Sequence, residues 1–269
     1  MTVTPSATSG RLSFTGVAHS EWIKLRTLRS TVWLYVALVV VSLALAALMA
    51  SSVSLGGGTF RASDQVHLAV TASVFGVFFG QLIVAVIGVL TISGEYSTGM
   101  IRSTLTAVPR RLPVLFAKAV VLFLVTFVVG VVSDFGAFFV AGPLLAAKGI
   151  DASATDPRVF VPLLGGGLYL GLVAVFALGL GTVLRNSAAG ITIVLGILLL
   201  LPTVLEMIPG SWTQDTIPSY LISAAGINML GVTSFSTVMY QPWQDFLIVM
   251  GWVLVWGAAG AALLKRRDA

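Results

Sequence analysis

From Gly94 to Lys118 the chain reads Gly-Glu-Tyr-Ser-Thr-Gly-Met-Ile-Arg-Ser-Thr-Leu-Thr-Ala-Val-Pro-Arg-Arg-Leu-Pro-Val-Leu-Phe-Ala-Lys, the stretch richest in groups that could engage another molecule. Ser97 and Thr98 are residue types that cap helix N-termini, because their hydroxyls accept from the first free backbone N–H groups. The pattern predicts a short amphipathic helix from there to about Ala107, with Met100, Ile101, Leu105 and Val108 on its apolar side. Pro109 ends it, and Pro113 can open the next helix. A short exposed helix flanked by Glu95 and Arg110 is suited to docking a partner. A solvated connector whose arginines Arg102, Arg110 and Arg111 only fix topology explains the same residues equally well.

A second group precedes the first long apolar block. Phe14, Val17, Ala18, Trp22, Leu25 and Leu28 recur at spacings that gather them on one helical face, with Glu21, Lys24, Arg26 and Arg29 interspersed. This pattern predicts a helix lying in the membrane interface, Trp22 at headgroup depth and the bases against anionic lipid. A flexible basic flank is the alternative. Farther along, Asp134 is the one plausible ionisable group inside a span. Counted from Pro113, it stands about 31 Å along a helix at 1.5 Å per residue. That position predicts a hydrated carboxylate at the outer boundary, and a start nearer Lys118 would instead place it inside, facing a pore or a partner. Glu206 reads as a boundary carboxylate in the same way.

Other chemistry is missing from the sequence. No cysteine occurs, which excludes disulfides, thiolate metal sites and a cysteine nucleophile. The Gly56–Gly58 and Gly165–Gly167 clusters lack the lysine of a phosphate-cradling loop, and no His-Glu-x-x-His zinc motif is present. His19 and His67 fall on opposite sides of the expected membrane, so they cannot share a metal. No catalytic constellation emerges, and a non-catalytic chain that binds no metal or cofactor is expected.

The elements that must position these groups follow from composition. Of 269 residues 57% are hydrophobic and only 9% charged, against roughly 25% charged in soluble domains. Six blocks reach the length of about 20 apolar residues needed to cross hydrocarbon: Val32–Val53, Val70–Ser93, Val114–Val140, Pro162–Leu184, Ala188–Ile208 and Gln244–Leu264. The expected fold is all-α, a polytopic membrane bundle of six transmembrane helices preceded by the interfacial helix. Residues 1–31 would form the tail and interfacial helix, 32–264 the transmembrane domain, and 265–269 a basic tail. Ala44 and Ala46 resemble a signal-cleavage pattern, but the first block is too long for a secretory h-region, so an uncleaved helix is expected.

Charge sets the orientation. The tail with Arg11, Lys24, Arg26 and Arg29, the loop and helix foot with Arg102, Arg110, Arg111 and Lys118, then Arg185, Lys265, Arg266 and Arg267 share one side, 12 of the 15 basic residues. This basic side should be cytoplasmic, with both termini on it. The net charge of +5 therefore reports topology, and no nucleic-acid partner is expected. The Gly76/Gly80 and Gly167/Gly171 pairs permit close helix approach. Packing within the chain is the first use expected of them.

Glu21-Trp-Ile-Lys-Leu-Arg26, the six spans, and Glu95 to Gly99 followed by Pro109, Arg110 and Lys118 together resemble an ABC-2 type permease, the membrane subunit of an ATP-binding-cassette transporter. The resemblance covers essentially the whole chain. It implies that the N-terminal helix is the family's connecting helix. It also implies that Glu95, Tyr96, Thr98, Met100, Ile101, Arg102, Pro109, Arg110 and Arg111, within 94–112, form a coupling element against an ATPase subunit. Residues 210–242 would hold short half-entering outer helices. The implied assembly is a homodimer or heterodimer of permeases with two ATPase chains in the cytoplasmic membrane. Those chains would carry ATP and magnesium, and the pair would export a hydrophobic or amphipathic cargo. An ion-coupled secondary transporter using Asp134 is the alternative from another class. A membrane anchor or sensor ranks behind it.

Overall fold

The computed structural model describes residues 14–53, 61–97, 99, 111–210, 216–231 and 241–266, and it is all-α, with no strand among them. Helix α1, Phe14–Thr27, joins α2, Arg29–Ser52, through Leu28 alone, whose extended backbone (ψ 107°) bends the chain between them. Next come α3, Ala62–Ser97, and α4, Arg111–Ala146, followed by α5, Pro157–Leu184. The fifth crossing is compound. Helix α6, Ser187–Leu195, passes through a π-helical turn, Gly196–Leu200, into α7, Leu201–Met207. Two short helices, α8 (Ile217–Ser219) and α9 (Ile222–Asn228), precede the last span, α10, Pro242–Arg266.

Six helices of the described residues are long and apolar enough to cross a membrane, and they correspond one for one to the six apolar blocks. The protein is a multi-pass membrane bundle. The second span, α3, outruns its block because its ends carry polar residues, among them Asp64, His67 and Glu95, that hydropathy trims away. The third, α4, continues past its block through 141–146, with Pro143 inside the helix.

Local chemistry explains the boundaries. Asp156 caps α5, accepting from Arg158 N at 2.8 Å with Pro157 at the first helical position. At the other end Arg185 adopts a left-handed conformation (φ 54°), and its N–H returns to Gly181 O. Asn186 then caps α6 by accepting from Ala189 N at 3.0 Å. The wide turn ends just before Pro202, which has no N–H to offer the Leu198 carbonyl one turn back.

Helix α5 is the centre of the bundle, packed against α3, α4, α6 and α10. Glycines make this possible, since helices in lipid associate through close backbone packing rather than hydrophobic exclusion. A Cβ on Gly167 would stand 2.7 Å from Val131 N of α4, and one on Gly179 would stand 2.8 Å from the Trp256 backbone of α10. The Gly76/Gly80 pair receives Ser42 and Leu38 of α2 in the same way. Both Gly-x-x-x-Gly pairs are thus used within the chain.

Between α7 and α10 every residue of Ile222–Asn228 is buried, and Gly226 seats directly on the Tyr169 ring of α5. Tyr169 in turn donates from its hydroxyl to Gln81 Oε1 of α3.

Candidate functional site

The chemistry of the basic side converges where α1, the end of α3 and the start of α4 meet. Glu21 and Lys24, three residues apart, stand on one face of α1. Glu95 lies in the last turn of α3. Lys118 sits two turns into α4, a position that hydrocarbon or packed helix would make costly for an unpaired ammonium.

The four side chains form one closed circuit. Lys24 Nζ donates to Glu21 Oε1 at 2.8 Å and to Glu95 Oε1 at 2.7 Å. Lys118 Nζ donates to Glu95 Oε1 at 2.9 Å and also binds Glu21 Oε2. Two carboxylates meet two ammonium groups, so the formal charge is zero. Three members are nearly inaccessible: Glu21 at 2%, Glu95 at 5% and Lys118 at 2% relative exposure. Charge-assisted hydrogen bonds in such surroundings are short and strong, but each member depends on the others because a lone buried charge is severely penalised.

Lys24 is the member open to solvent. Burial alone would lower its pKa, yet hydrogen bonds and attraction from Glu21 and Glu95 outweigh that, and the ammonium is held above its ordinary value of 10.5. One polar atom of the circuit is left over. Glu95 Oε2 is buried with no hydrogen-bond partner. A cavity of about 440 Å³, lined by Lys24, Glu95, Lys118 and hydroxyls including Thr31 and Thr91, adjoins it.

This geometry corrects two expectations. Glu95 does not stand on an exposed face ready for a partner; it points inward and joins α3 to α1 and α4. Lys24 likewise turns to the bundle instead of the lipid headgroups. The face of α1 that packs holds Ala18, Glu21, Lys24 and Leu25, while Phe14, Trp22, Leu28, Arg26 and Arg29 are exposed. Phe14 nevertheless meets Phe116 of α4 with the rings tilted at 41° and 5.9 Å between centroids. Apolar periodicity alone could not reveal that salt bridges, more than apolar contact, choose the packed face.

Tyr96 lies beneath the Arg185 guanidinium, 5.0 Å from carbon to ring centroid, so the ends of α3 and α5 are also joined. Thr98, Met100, Ile101, Arg102, Pro109 and Arg110 fall outside the described residues, and so does the helix expected over them. Arg111 opens α4, but its side chain is outside the description. Lys118 and Arg185 entered the sequence reading mainly as topology markers. The readable signal was a lysine embedded in an apolar run, which demands a counter-charge.

Asp134 requires a third correction. It is fully buried, it packs against Gly166 of α5 so closely that a Cβ there would overlap its carboxylate, and Val77 of α3 borders the same spot. Neither carboxylate oxygen has a hydrogen-bond partner. The expected hydration fails because α5 and α3 cover the carboxylate; α4 itself continues twelve residues past Asp134, to Ala146. Glu206, by contrast, is exposed as expected.

No group of three His, Cys, Asp or Glu side chains among the described residues could hold a metal ion. The charges on the basic side lock an outlying helix to two spans through four mutually dependent groups. No curated protein sequence matches the chain. Residues 18–203 match the profile described as ABC-2 family transporter protein. That match runs from α1 through the π-turn and spans both ends of the ion-pair circuit, and the chain belongs to the ABC-2 family as an ABC transporter permease.

Proposed function

We infer that this permease exports a hydrophobic or amphipathic compound across the cytoplasmic membrane, driven by ATP hydrolysis on separate ATPase subunits. The basic side is cytoplasmic, with both termini there, as its excess of Lys and Arg argues. Two permease copies work with two ATPase chains, and those chains carry ATP and magnesium. The observation that carries this reading is the Glu21–Lys24–Glu95–Lys118 circuit. It sits where the 98–110 segment leaves α3 and re-enters α4.

In this reading the segment around Met100 docks on the ATPase, and Glu95 transmits. Displacement of the segment pulls on Glu95, and the circuit forces α1 and α4 to move with α3. A rigid link suits this task, since a loose contact would dissipate the motion before it reached the spans. The cargo class rests on the few charges that the spans expose.

The test is co-purification of the detergent-solubilised chain with candidate ATPase subunits, using wild type, Met100→Asp and Glu95→Lys. The expected result is a stable wild-type complex, loss of the complex in Met100→Asp, and an altered coupling of ATP hydrolysis in Glu95→Lys that Lys118→Glu restores in part. Absence of any ATPase from wild type would overturn the reading.

The buried, unpartnered Asp134 favours one second reading, an ion-coupled secondary transporter. Flux driven by a pH gradient without ATP, and abolished by Asp134→Asn, would establish it.

A further inference from the structure

A second cleft opens on the same side of the bundle but faces the lipid. It lies between α1, α2 and α4 and measures about 540 Å³, within the roughly 300–1,000 Å³ typical of ligand clefts. Its walls are Val36 and Val40 of α2 and Val125 and Val129 of α4. From Val32 to Val40 the α2 wall runs about 12 Å at 1.5 Å per residue. Its floor is fixed, because Tyr35 Oη and Thr126 Oγ1 hydrogen-bond at 2.8 Å and tie α2 to α4. Helix α1 closes the end nearest the basic side with Trp22, Leu25 and Arg26.

Arg26 is exposed and has neither an ion pair nor a hydrogen bond among the described residues. Its neighbour Lys24 is held in the ion-pair circuit, so the two bases of α1 serve different ends. A fixed, valine-walled cleft with one free guanidinium at its interfacial end has the polarity of a phospholipid: charge at the headgroup, hydrocarbon below.

We propose that this cleft is a binding site for an anionic phospholipid, its phosphate on Arg26 beside Trp22 and an acyl chain laid between α2 and α4. Two features favour lipid over a helix of a second copy. A spanning helix entering the cleft would run into α1, whereas an acyl chain starts there. The guanidinium also needs an anion, and it can pair bidentately with a phosphate. The proposal uses the cytoplasmic placement of the basic side, inferred above, only as the reason anionic lipid is at hand. Lipid bound here would brace α1 against α2 and α4 from the side opposite the ion-pair circuit.

The test is native mass spectrometry of the full-length chain purified in detergent with equal amounts of phosphatidylglycerol and phosphatidylcholine, a format that depends on neither orientation nor an ATPase. Wild type should retain one phosphatidylglycerol in preference to phosphatidylcholine. Arg26→Gln should weaken that preference about five-fold, the effect expected of one basic side chain at an anionic surface. Val36→Trp, at an exposed position, should displace the lipid by filling the cleft, whereas Arg29→Gln, outside the cleft, should leave retention unchanged.

Equal retention of both lipids by wild type, or equal losses in Arg26→Gln and Arg29→Gln, would overturn the proposal. Because the natural chain has no cysteine, Val40→Cys offers a clean second check in membranes. Efficient disulfide cross-linking between two chains at that position would assign the cleft to a second copy and sink the lipid reading.

Discussion

Lys118 is the residue whose loss should cost most for its size. Replacing it with Met leaves Glu21 and Glu95 buried with Lys24 as their remaining cation, and breaking such a pair costs about 3–5 kcal/mol. Thermal unfolding in detergent should show a clear drop for Lys118→Met and a smaller one for the double variant Glu21→Gln/Lys118→Met, because the second change removes the charge that the first stranded. Additive losses would mean that the four groups are not coupled as the geometry indicates. Asp134 obeys a different logic. Gly166→Ala should destabilise by forcing the carboxylate aside, and Asp134→Ala in the same chain should recover part of the loss by removing the obstacle. The four-charge circuit is partly legible: Glu21, Lys24 and Glu95 are candidates from the sequence, but pairing with Lys118 closes it across 97 residues from Glu21, and no local pattern encodes that.

At the scale of the element, the joint between α2 and the turn after α4 depends on Lys148. Its Nζ reaches the carbonyls of Ala50, Ser51 and Val53 at 2.9, 2.6 and 2.6 Å, covering the free C-terminal carbonyls of α2. Lys148→Ala should lower stability by about 2 kcal/mol, in line with the loss of a charged hydrogen-bond donor. It should also speed proteolysis near Val53, which limited digestion followed by mass spectrometry would locate. In the sequence Lys148 is merely one of three bases, with Arg61 and Arg158, left off the basic side. The fifth crossing shows a similar limit. Its apolar run predicts one helix, whereas the structure widens it into a π-turn ahead of Pro202. Hydropathy registers length, but it is blind to a missing N–H. For α1 the apolar stripe names only the face that avoids water, and Phe14, Trp22 and Leu28 of that stripe are exposed; the face that packs carries Glu21 and Lys24, whose partners lie on other helices and leave no local pattern.

For the whole molecule, the folded state should resist alkali only up to a limit. Lys24 is held above its ordinary value of 10.5. A base with a raised folded pKa contributes stability that is fully present below its unfolded pKa and is lost as pH rises through the folded one. The tie between α1 and α3 should therefore loosen above about pH 10.5, and Lys24→Arg, which stays charged, should shift that loosening to higher pH. Fluorescence from Trp22 during an alkaline titration, in a variant with the other tryptophans replaced by Phe, would report it. Topology can be probed on the same cysteine-free background: Ser20→Cys and Arg29→Cys should label from the cytoplasm, and Arg158→Cys from outside. Reversed labelling would refute the orientation. By itself the sequence determined the class of fold, the number of spans and the side on which the bases gather. Each of these depends on local composition measured against a fixed hydrocarbon thickness. Only the tertiary structure decided which charges neutralise one another, that Asp134 is interior, and that glycines of α5 make it the central helix. These are contacts between segments far apart in the chain, set by packing geometry that composition does not carry.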